Sequence, residues 1–435
     1  MSVRTAILFP GQGAYLPGVL AERANRFPRA VEVLETIDEV VTARGHEPVS
    51  ALLLDRDAPS LQDLLEGDSD RLDLAIYATN AVAAELLAGL GVRADVLMGH
   101  SFGEFAALSA AGAISVADVA SMACARIEAF RRAAPEEGGL VALDIAAWRA
   151  DHLVGLLDEP GLRTAIDNGP GQTVLSGPLP SLKTVEKTAT ELGIRATRLR
   201  AGYAFHNPLL NDAADLFRQA TADVVISAPR TPVFSPILGR HVVGAEDARE
   251  VVERNMIAPV PFYDALLTLF RQGTRLFVEA GARQALSGIV RSSLPTAAVA
   301  VPLLPSRGDL DGIAAALDEA GVRTRWQPDD HHAPGEAADP PETEPALAAE
   351  DAQSGGRPEL LGELAALYAD DLGFPAEMLT ADIDLEADLG VDSAKQTALF
   401  ERVRRQYRLP DVQGERRAEA TTLERIAELV EELRR

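Results

Sequence analysis

The chain has 435 residues, which at roughly 150 residues per domain predicts two or three domains. Its formal net charge of −25 argues against a surface that binds nucleic acid or an anionic membrane, because both need clustered Lys and Arg. The one cysteine, Cys124, leaves no intrachain disulfide framework and no multi-thiolate metal site, so we expect a cytoplasmic protein without a metal.

The first part of the chain alternates short apolar runs with amphipathic helical patterns, which predicts an α/β sheet domain. In chain order the pattern predicts a strand at 4–9, a helix at 72–90, a strand at 94–98 and a helix at 102–111. No stretch approaches the ~20 apolar residues of a membrane span, so we expect no membrane segment.

The pattern changes between about residues 133 and 199. Two strands are predicted at 140–144 and 173–176, and two helices at 147–157 and 182–192. Two strand–helix units in so short a segment indicate a small inserted α+β subdomain.

Residues 328–356 break the globular pattern. They contain five prolines and eight acidic residues but no Lys or Arg, which predicts an extended linker. Within it, His331 and His332 have no other ligand nearby and are best explained as solvated side chains. The linker divides a domain at 1–327 from a domain at 357–435, and the latter shows three helical patterns typical of a small helical bundle.

Gly99-His100-Ser101-Phe102-Gly103 is a G-x-S-x-G motif between a predicted strand and a predicted helix. In that context the motif predicts a nucleophile elbow, a sharp turn that exposes the serine Oγ beside free N–H groups of the helix. The alternative is a chance Gly-Ser turn before a helix.

A nucleophilic serine needs a base, and the chain has seven histidines. His206, just before the helix-breaking Pro208, is the best candidate on sequence alone. The alternative is that His206 has a purely structural role.

Four motifs occur in the order and spacing of a known family: Phe9-Pro10-Gly11-Gln12-Gly13, Gly99 to Glu104, Arg126, and Ala204-Phe205-His206. With them the chain resembles the malonyl-CoA:acyl-carrier-protein transacylases and the acyltransferase domains of polyketide synthases, over about residues 3–325. The resemblance implies an α/β-hydrolase-like core with an inserted ferredoxin-like subdomain.

The resemblance also implies roles for individual residues. Ser101 is expected to be the acyl-accepting nucleophile, and His206 its general base and acid. Asn255 is at the position whose main-chain carbonyl would orient the histidine. The backbone N–H groups of Gln12 and Phe102 are expected to form the oxyanion hole.

Three further residues are expected to bind the acyl unit. Arg126 is at the family's carboxylate-binding position, and a guanidinium suits a free carboxylate. Phe205 is typical of malonyl selectors and Tyr203 of methylmalonyl selectors. Because Phe205 and Phe102 leave little room for a branch beside the acyl α-carbon, we expect malonyl to be preferred over methylmalonyl.

The C-terminal domain carries Leu389-Gly390-Val391-Asp392-Ser393. This segment resembles the phosphopantetheine site of acyl carrier proteins, most closely those of polyunsaturated-fatty-acid and enediyne synthases. The resemblance implies 4′-phosphopantetheine on Ser393, although a simple helix N-cap is the alternative for the motif by itself. The domain has 18 acidic and 11 basic residues, as suits a carrier that docks on basic partners.

The sequence therefore predicts an acyltransferase that moves malonyl from CoA to Ser101 and then to the pantetheine thiol on Ser393. The expected partners are malonyl-CoA, a phosphopantetheinyl transferase and a partner synthase or ketosynthase. Three alternatives stay open: a serine thioesterase that edits carrier thioesters, an acyltransferase for another acyl unit, and a non-catalytic delivery scaffold.

Overall fold

The computed structural model describes residues 3–21, 23, 26–199, 201–306, 309–325, 357–372, 399–404, 407 and 422–433. The chain divides into two compact units, Met1–Pro328 and Asp329–Arg435. The predicted linker at 328–356 and the segment around Ser393 lie outside the described residues.

The strands of the first unit form two sheets. In chain order they are β1 (Arg4–Phe9), β2 (Val96–Gly99), β3 (Gly138–Leu143), β4 (Arg163–Gly169), β5 (Gln172–Pro178), β6 (Ala196–Leu199), β7 (Val233–Ser235), β8 (Arg240–Val242), β9 (Val260–Pro261), β10 (Thr274–Ala282) and β11 (Val299–Leu304).

The helices cover both sheets or form the second unit. They are α1 (Pro28–Ala43), α2 (Ser50–Leu54), α3 (Leu61–Gly67), α4 (Ser69–Gly89), α5 (Gly103–Ala110), α6 (Val116–Ala133), α7 (Ala147–Leu157), α8 (Leu179–Glu191), α9 (Asn211–Ala220), α10 (Ala245–Arg254), α11 (Phe262–Arg271), α12 (Ala285–Ser293), α13 (Leu310–Glu319), α14 (Arg357–Leu372) and α15 (Leu423–Leu433).

The larger sheet has the strand order β11-β10-β1-β2-β7-β8. Its strands pair in parallel except for β8, which is antiparallel to β7. The central strands are apolar and buried, as expected for a parallel sheet that helices cover on both faces. In this sheet β1 and β2 are neighbours and Phe9 is opposite Gly99, so the segments that follow both strands meet at one edge.

The smaller sheet confirms the ferredoxin-like subdomain. Its spatial order is β6-β3-β5-β4-β9. In chain order β3 to β6 alternate with α7 and α8 in the pattern β-α-β-β-α-β. Strand β9 belongs to the later part of the chain and pairs in parallel with β4, an addition that the sequence pattern did not indicate. Through β9 the segment just before α11 is fixed to the subdomain.

Helix α4 is long and apolar enough to satisfy a length-and-composition test for a membrane span, contrary to the expectation that no stretch approaches one. However, 78% of its most apolar window is buried inside the unit. That burial is typical of a core helix.

In the second unit, the described helical residues share an apolar core. Leu364, Tyr368, Val403, Leu423 and Val430 are among its buried side chains. The Tyr407 hydroxyl donates a hydrogen bond to Glu363 at 2.6 Å. This arrangement agrees with the predicted small helical bundle.

Candidate active site

Ser101 occupies a tight turn between β2 and α5. Its φ is 56°, in the left-handed region that residues other than glycine rarely adopt. A Cβ on Gly99 would lie 2.1 Å from the Glu104 nitrogen, and one on Gly103 would lie 2.0 Å from the Phe9 oxygen. Glycine is therefore required on both sides of the serine, which is the local geometry that the motif predicts.

The turn brings the serine to His206. The distance from Ser101 Oγ to His206 Nε2 is 2.6 Å, although the two residues are 105 positions apart. On the other side of the ring, Nδ1 lies 2.9 Å from the Ala258 carbonyl oxygen. Because a carbonyl only accepts, Nδ1 carries the proton and Nε2 is left to accept the serine hydroxyl.

The assignment of Asn255 as the orienting residue is corrected by this geometry. The amide of Asn255 instead donates to the Ser101 carbonyl at 2.9 Å and holds the elbow. The chain turns after α10, with the Ala258 N–H donating to the Arg254 carbonyl at 2.8 Å. That turn presents the Ala258 carbonyl to the ring, while the Asn255 main chain has only a minor influence on the histidine pKa.

His206 is buried, and burial is the largest influence on its ionisation. It lowers the pKa of the imidazole from 6.5 to about 3, against the opposing effect of the Ala258 carbonyl. The positive charge of Arg126 lowers the pKa further. The ring is therefore neutral near pH 7, the state in which it accepts a proton.

The loop after β1 lies against the elbow. A Cβ on Gly11 would approach the His100 carbonyl oxygen to 2.7 Å and the Phe102 nitrogen to 3.4 Å, so this approach too requires glycine. Within the described part of the chain, the backbone N–H groups of Gln12 and Phe102 donate no hydrogen bond. Two free donors beside the serine suit a developing oxyanion.

Arg126 extends from α6 into a pocket of aromatic rings. Its Cζ lies 5.0 Å from the ring centroid of Phe102, 5.1 Å from that of Phe130 and 5.0 Å from that of Phe205. Its Nη1 donates to the carboxylate of Asp73 on α4. The guanidinium is thus desolvated and held by three rings and one ion pair.

Tyr203 belongs to the same aromatic group. Its ring stacks on that of Phe130 with centroids 4.4 Å apart and lies 5.9 Å from that of Phe205. The structure therefore brings together every acyl-unit residue expected from the sequence, and Tyr203 contacts the pocket through its aromatic neighbours.

Four contributors to the site were missed by the sequence reasoning: Asp73, Phe130, Asn168 and Ala258. Phe130 follows Arg126 by one helical turn, a spacing that places both on one helix face. Asp73 is an acid inside a buried apolar helix, which is itself a signal. Asn168 on β4 hydrogen-bonds His100 Nε2 at 2.9 Å and so joins the subdomain to the elbow.

Two expectations concern groups that the structure does not describe or contain. Ser393, the predicted phosphopantetheine attachment residue, lies outside the described residues. In the part of the chain that is described, no group of three or more His, Cys, Asp or Glu side chains is arranged to hold a metal ion.

Comparison with protein families gives two matches. Residues 7–325, more than half of the chain, match the acyl transferase domain, and residues 362–430 match the phosphopantetheine attachment site. The second match spans the predicted carrier region and includes Ser393.

Known relatives are similar over the first of these regions. The malonyl CoA-acyl carrier protein transacylase of Bacillus subtilis is 29% identical over 69% of this chain and 94% of its own length. The spectinabilin polyketide synthase system protein NorB of Streptomyces orinoci is 30% identical over 73% of this chain. The chain spans only 15% of NorB and 4% of the polyketide synthase GfsA of Streptomyces halstedii.

Solved structures agree with the fold. The acyltransferase domain from module 8 of the salinomycin polyketide synthase is 27% identical, with a TM-score of 0.65 over 73% of this chain and 76% of that one. The malonyl-CoA:acyl carrier protein transacylase of Xanthomonas oryzae is 28% identical, with a TM-score of 0.65 over 73% of this chain and 99% of that one.

The close approach at the elbow predicts a specific stability defect. Gly103→Ala should lower the free energy of unfolding by about 1–3 kcal/mol, because the new methyl group overlaps the Phe9 carbonyl. Gly155→Ala in α7 is the matched control, since a Cβ there meets no atom within 4 Å. It should be neutral or stabilise by up to about 1 kcal/mol. Urea denaturation of the two variants checks this, and equal effects would contradict it.

The lowered pKa of His206 predicts the pH dependence of serine acylation. A neutral base persists until the pH falls toward its pKa of about 3, so kcat/KM should stay level from about pH 7.5 down to about pH 5.5. Acetyl-CoA should be tested beside malonyl-CoA, because its acyl group carries no titratable carboxylate. An acidic limb centred near 6.5 with both substrates would show that the histidine ionises normally.

Proposed function

Since the chain belongs to the acyl transferase domain family, we propose that it transfers an acyl group, malonyl in the first instance, from CoA to a carrier protein. The observation that carries this proposal is the 2.6 Å contact between Ser101 and a neutral His206, beside a buried Arg126. The acceptor is the phosphopantetheine thiol on Ser393, in the same molecule or in another copy of this chain. The match to the phosphopantetheine attachment site supports that choice.

In the first half-reaction Ser101 Oγ attacks the thioester carbonyl while His206 Nε2 takes the hydroxyl proton. The tetrahedral oxyanion accepts hydrogen bonds from the Gln12 and Phe102 N–H groups. The C–S bond then breaks, and the proton on Nε2 passes to the departing CoA thiolate. This leaves an ester on Ser101 and free CoA.

The second half-reaction reverses the first with another thiol. The pantetheine thiol gives its proton to Nε2 and attacks the seryl ester carbonyl. When the C–Oγ bond breaks, the proton returns to Oγ and the acyl group remains on the carrier as a thioester. A phosphopantetheinyl transferase supplies the arm beforehand, and a partner synthase or ketosynthase consumes the product.

Arg126 distinguishes this function from a thioesterase. A buried guanidinium suits a carboxylate at the end of a short acyl chain. A thioesterase that edits carrier thioesters would use water as the second acceptor, so release of the free acid in place of transfer to the pantetheine thiol would be the observable difference.

The nucleophile assignment predicts two different defects. Ser101→Ala should abolish the covalent acyl-enzyme, because the neighbouring side chains of the elbow, His100 and Phe102, carry no hydroxyl. His206→Ala should slow acylation by about 10²–10⁴-fold, because the serine loses its base. Intact mass spectrometry after exposure to malonyl-CoA checks both. The control variant is His152→Ala, which changes an exposed histidine on α7. An ester on the Ser101→Ala variant would refute the assignment.

The carrier assignment predicts a single modification. A phosphopantetheinyl transferase of broad specificity and CoA should add one pantetheine arm to the wild-type chain and none to Ser393→Ala. The control is Ser354→Ala in the predicted linker, which should be modified like the wild type. An unmodified wild-type chain beside a modified reference carrier would overturn the carrier assignment.

A further inference from the structure

Arg126 and the rings of Phe102, Phe130 and Phe205 are here called the acyl pocket. Asp73 is a charged residue beside this pocket that the proposed transfer mechanism does not use. Its carboxylate accepts a hydrogen bond from Arg126 Nη1 and another, at 3.0 Å, from Gln12 Nε2. The side chains of Arg126 and Asp73 are only 4% and 12% exposed. The ion pair is therefore inside the pocket and is shielded little by solvent.

Among the described residues, Arg126 forms an ion pair with Asp73 alone. Its three close neighbours are the rings of Phe102, Phe130 and Phe205. Its Nε is buried without a hydrogen-bond partner. The Asp73 carboxylate thus balances the positive charge of the guanidinium. The Nε–H group of Arg126 remains available as a hydrogen-bond donor.

A free carboxylate on the acyl unit would have to share this guanidinium. Two carboxylates on one buried cation leave a net negative charge, and like charges at such distances repel strongly in a pocket of low polarity. An acyl unit without a free carboxylate meets no such repulsion. The neutral ion pair therefore removes much of the advantage that an unpaired arginine gives to a dicarboxylic acyl unit.

We propose that Asp73 is a specificity-determining residue whose carboxylate competes with the free carboxylate of the acyl unit for Arg126, so that the wild-type pocket accepts acyl units without a free carboxylate alongside malonyl. This inference rests on the proposed acyl transfer through Ser101. It assigns to that site a broader substrate class than Arg126 by itself indicates.

The test is a competition within one sample. The full-length chain without the pantetheine arm is exposed briefly to equimolar malonyl-CoA and acetyl-CoA, and mass spectrometry gives the ratio of malonyl to acetyl ester on Ser101. Asp73→Asn should raise this ratio by about 10-fold or more. A hydrogen bond to a charged group is stronger than one to a neutral group, and the difference in free energy corresponds to a ratio of about that size. Arg126→Ala should lower the ratio, because malonyl then loses its cation and meets the unpaired Asp73 carboxylate.

The control is Asp70→Asn. Asp70 is one turn earlier on α4 and pairs with Arg131 on α6 at 2.5 Å, so it joins the same two helices at a more exposed position. The ratio of malonyl to acetyl ester in the Asp70→Asn variant should equal that in the wild type. Because both esters form in one sample, partial unfolding lowers their total but not their ratio, and Asp73→Gln replaces the Asn variant if that variant does not fold.

The outcomes separate this inference from the function beneath it. An unchanged or lower ratio in Asp73→Asn would overturn the inference, because Asp73 would then be a support for Arg126 and not its competitor. Acyl transfer through Ser101 would remain intact in that case. Absence of any Ser101-dependent ester in the wild type would overturn the proposed function and the inference together.

Discussion

The close approach of two backbone segments governs the whole site. Strands β1 and β2 run side by side in parallel, so the loop after Phe9 and the turn after Gly99 come together at the carboxyl edge of the sheet. Gly11, Gly99 and Gly103 allow contacts that a Cβ would prevent. This approach brings the Gln12 and Phe102 N–H groups, which donate no hydrogen bond within the described part of the chain, to the turn that holds Ser101, and the proposed acyl transfer depends on that placement.

The two functional side chains that approach the elbow are buried in different ways. His206 can lose its charge, so burial lowers its pKa and the neutral ring needs only the Ala258 carbonyl as a partner. Arg126 cannot lose its charge. Its burial is compensated by the carboxylate of Asp73 and the faces of three rings. The chemistry of each side chain thus dictates what must surround it.

Sequence reasoning succeeded where the determinants are local. The elbow follows from five consecutive residues between a strand and a helix. The alternating pattern indicated a small α+β subdomain and two of its four strands, whereas the ferredoxin-like order came from the family resemblance. His206 was already the best candidate base on sequence alone, but its pairing with Ser101 came from family resemblance, because no local pattern specifies a contact across 105 positions. The expectation for Asn255 was wrong because a turn of three residues decides which carbonyl faces the ring. Strand β9, only two residues long, is defined by its pairing with β4 and not by its own pattern.

Asp73 shows why the charge of a pocket cannot be obtained from its recognised residues alone. Arg126 by itself indicates a cationic pocket, but a residue 53 positions earlier converts it into a neutral pair. The same carboxylate binds the Gln12 side chain, and Gln12 also supplies a backbone N–H next to Ser101. The acyl pocket and the loop after β1 therefore share one hydrogen-bonded side chain. A change in the charge beside Arg126 would therefore also alter the support of the loop after β1, so that under the proposed mechanism recognition of the acyl unit and stabilisation of the oxyanion are physically linked.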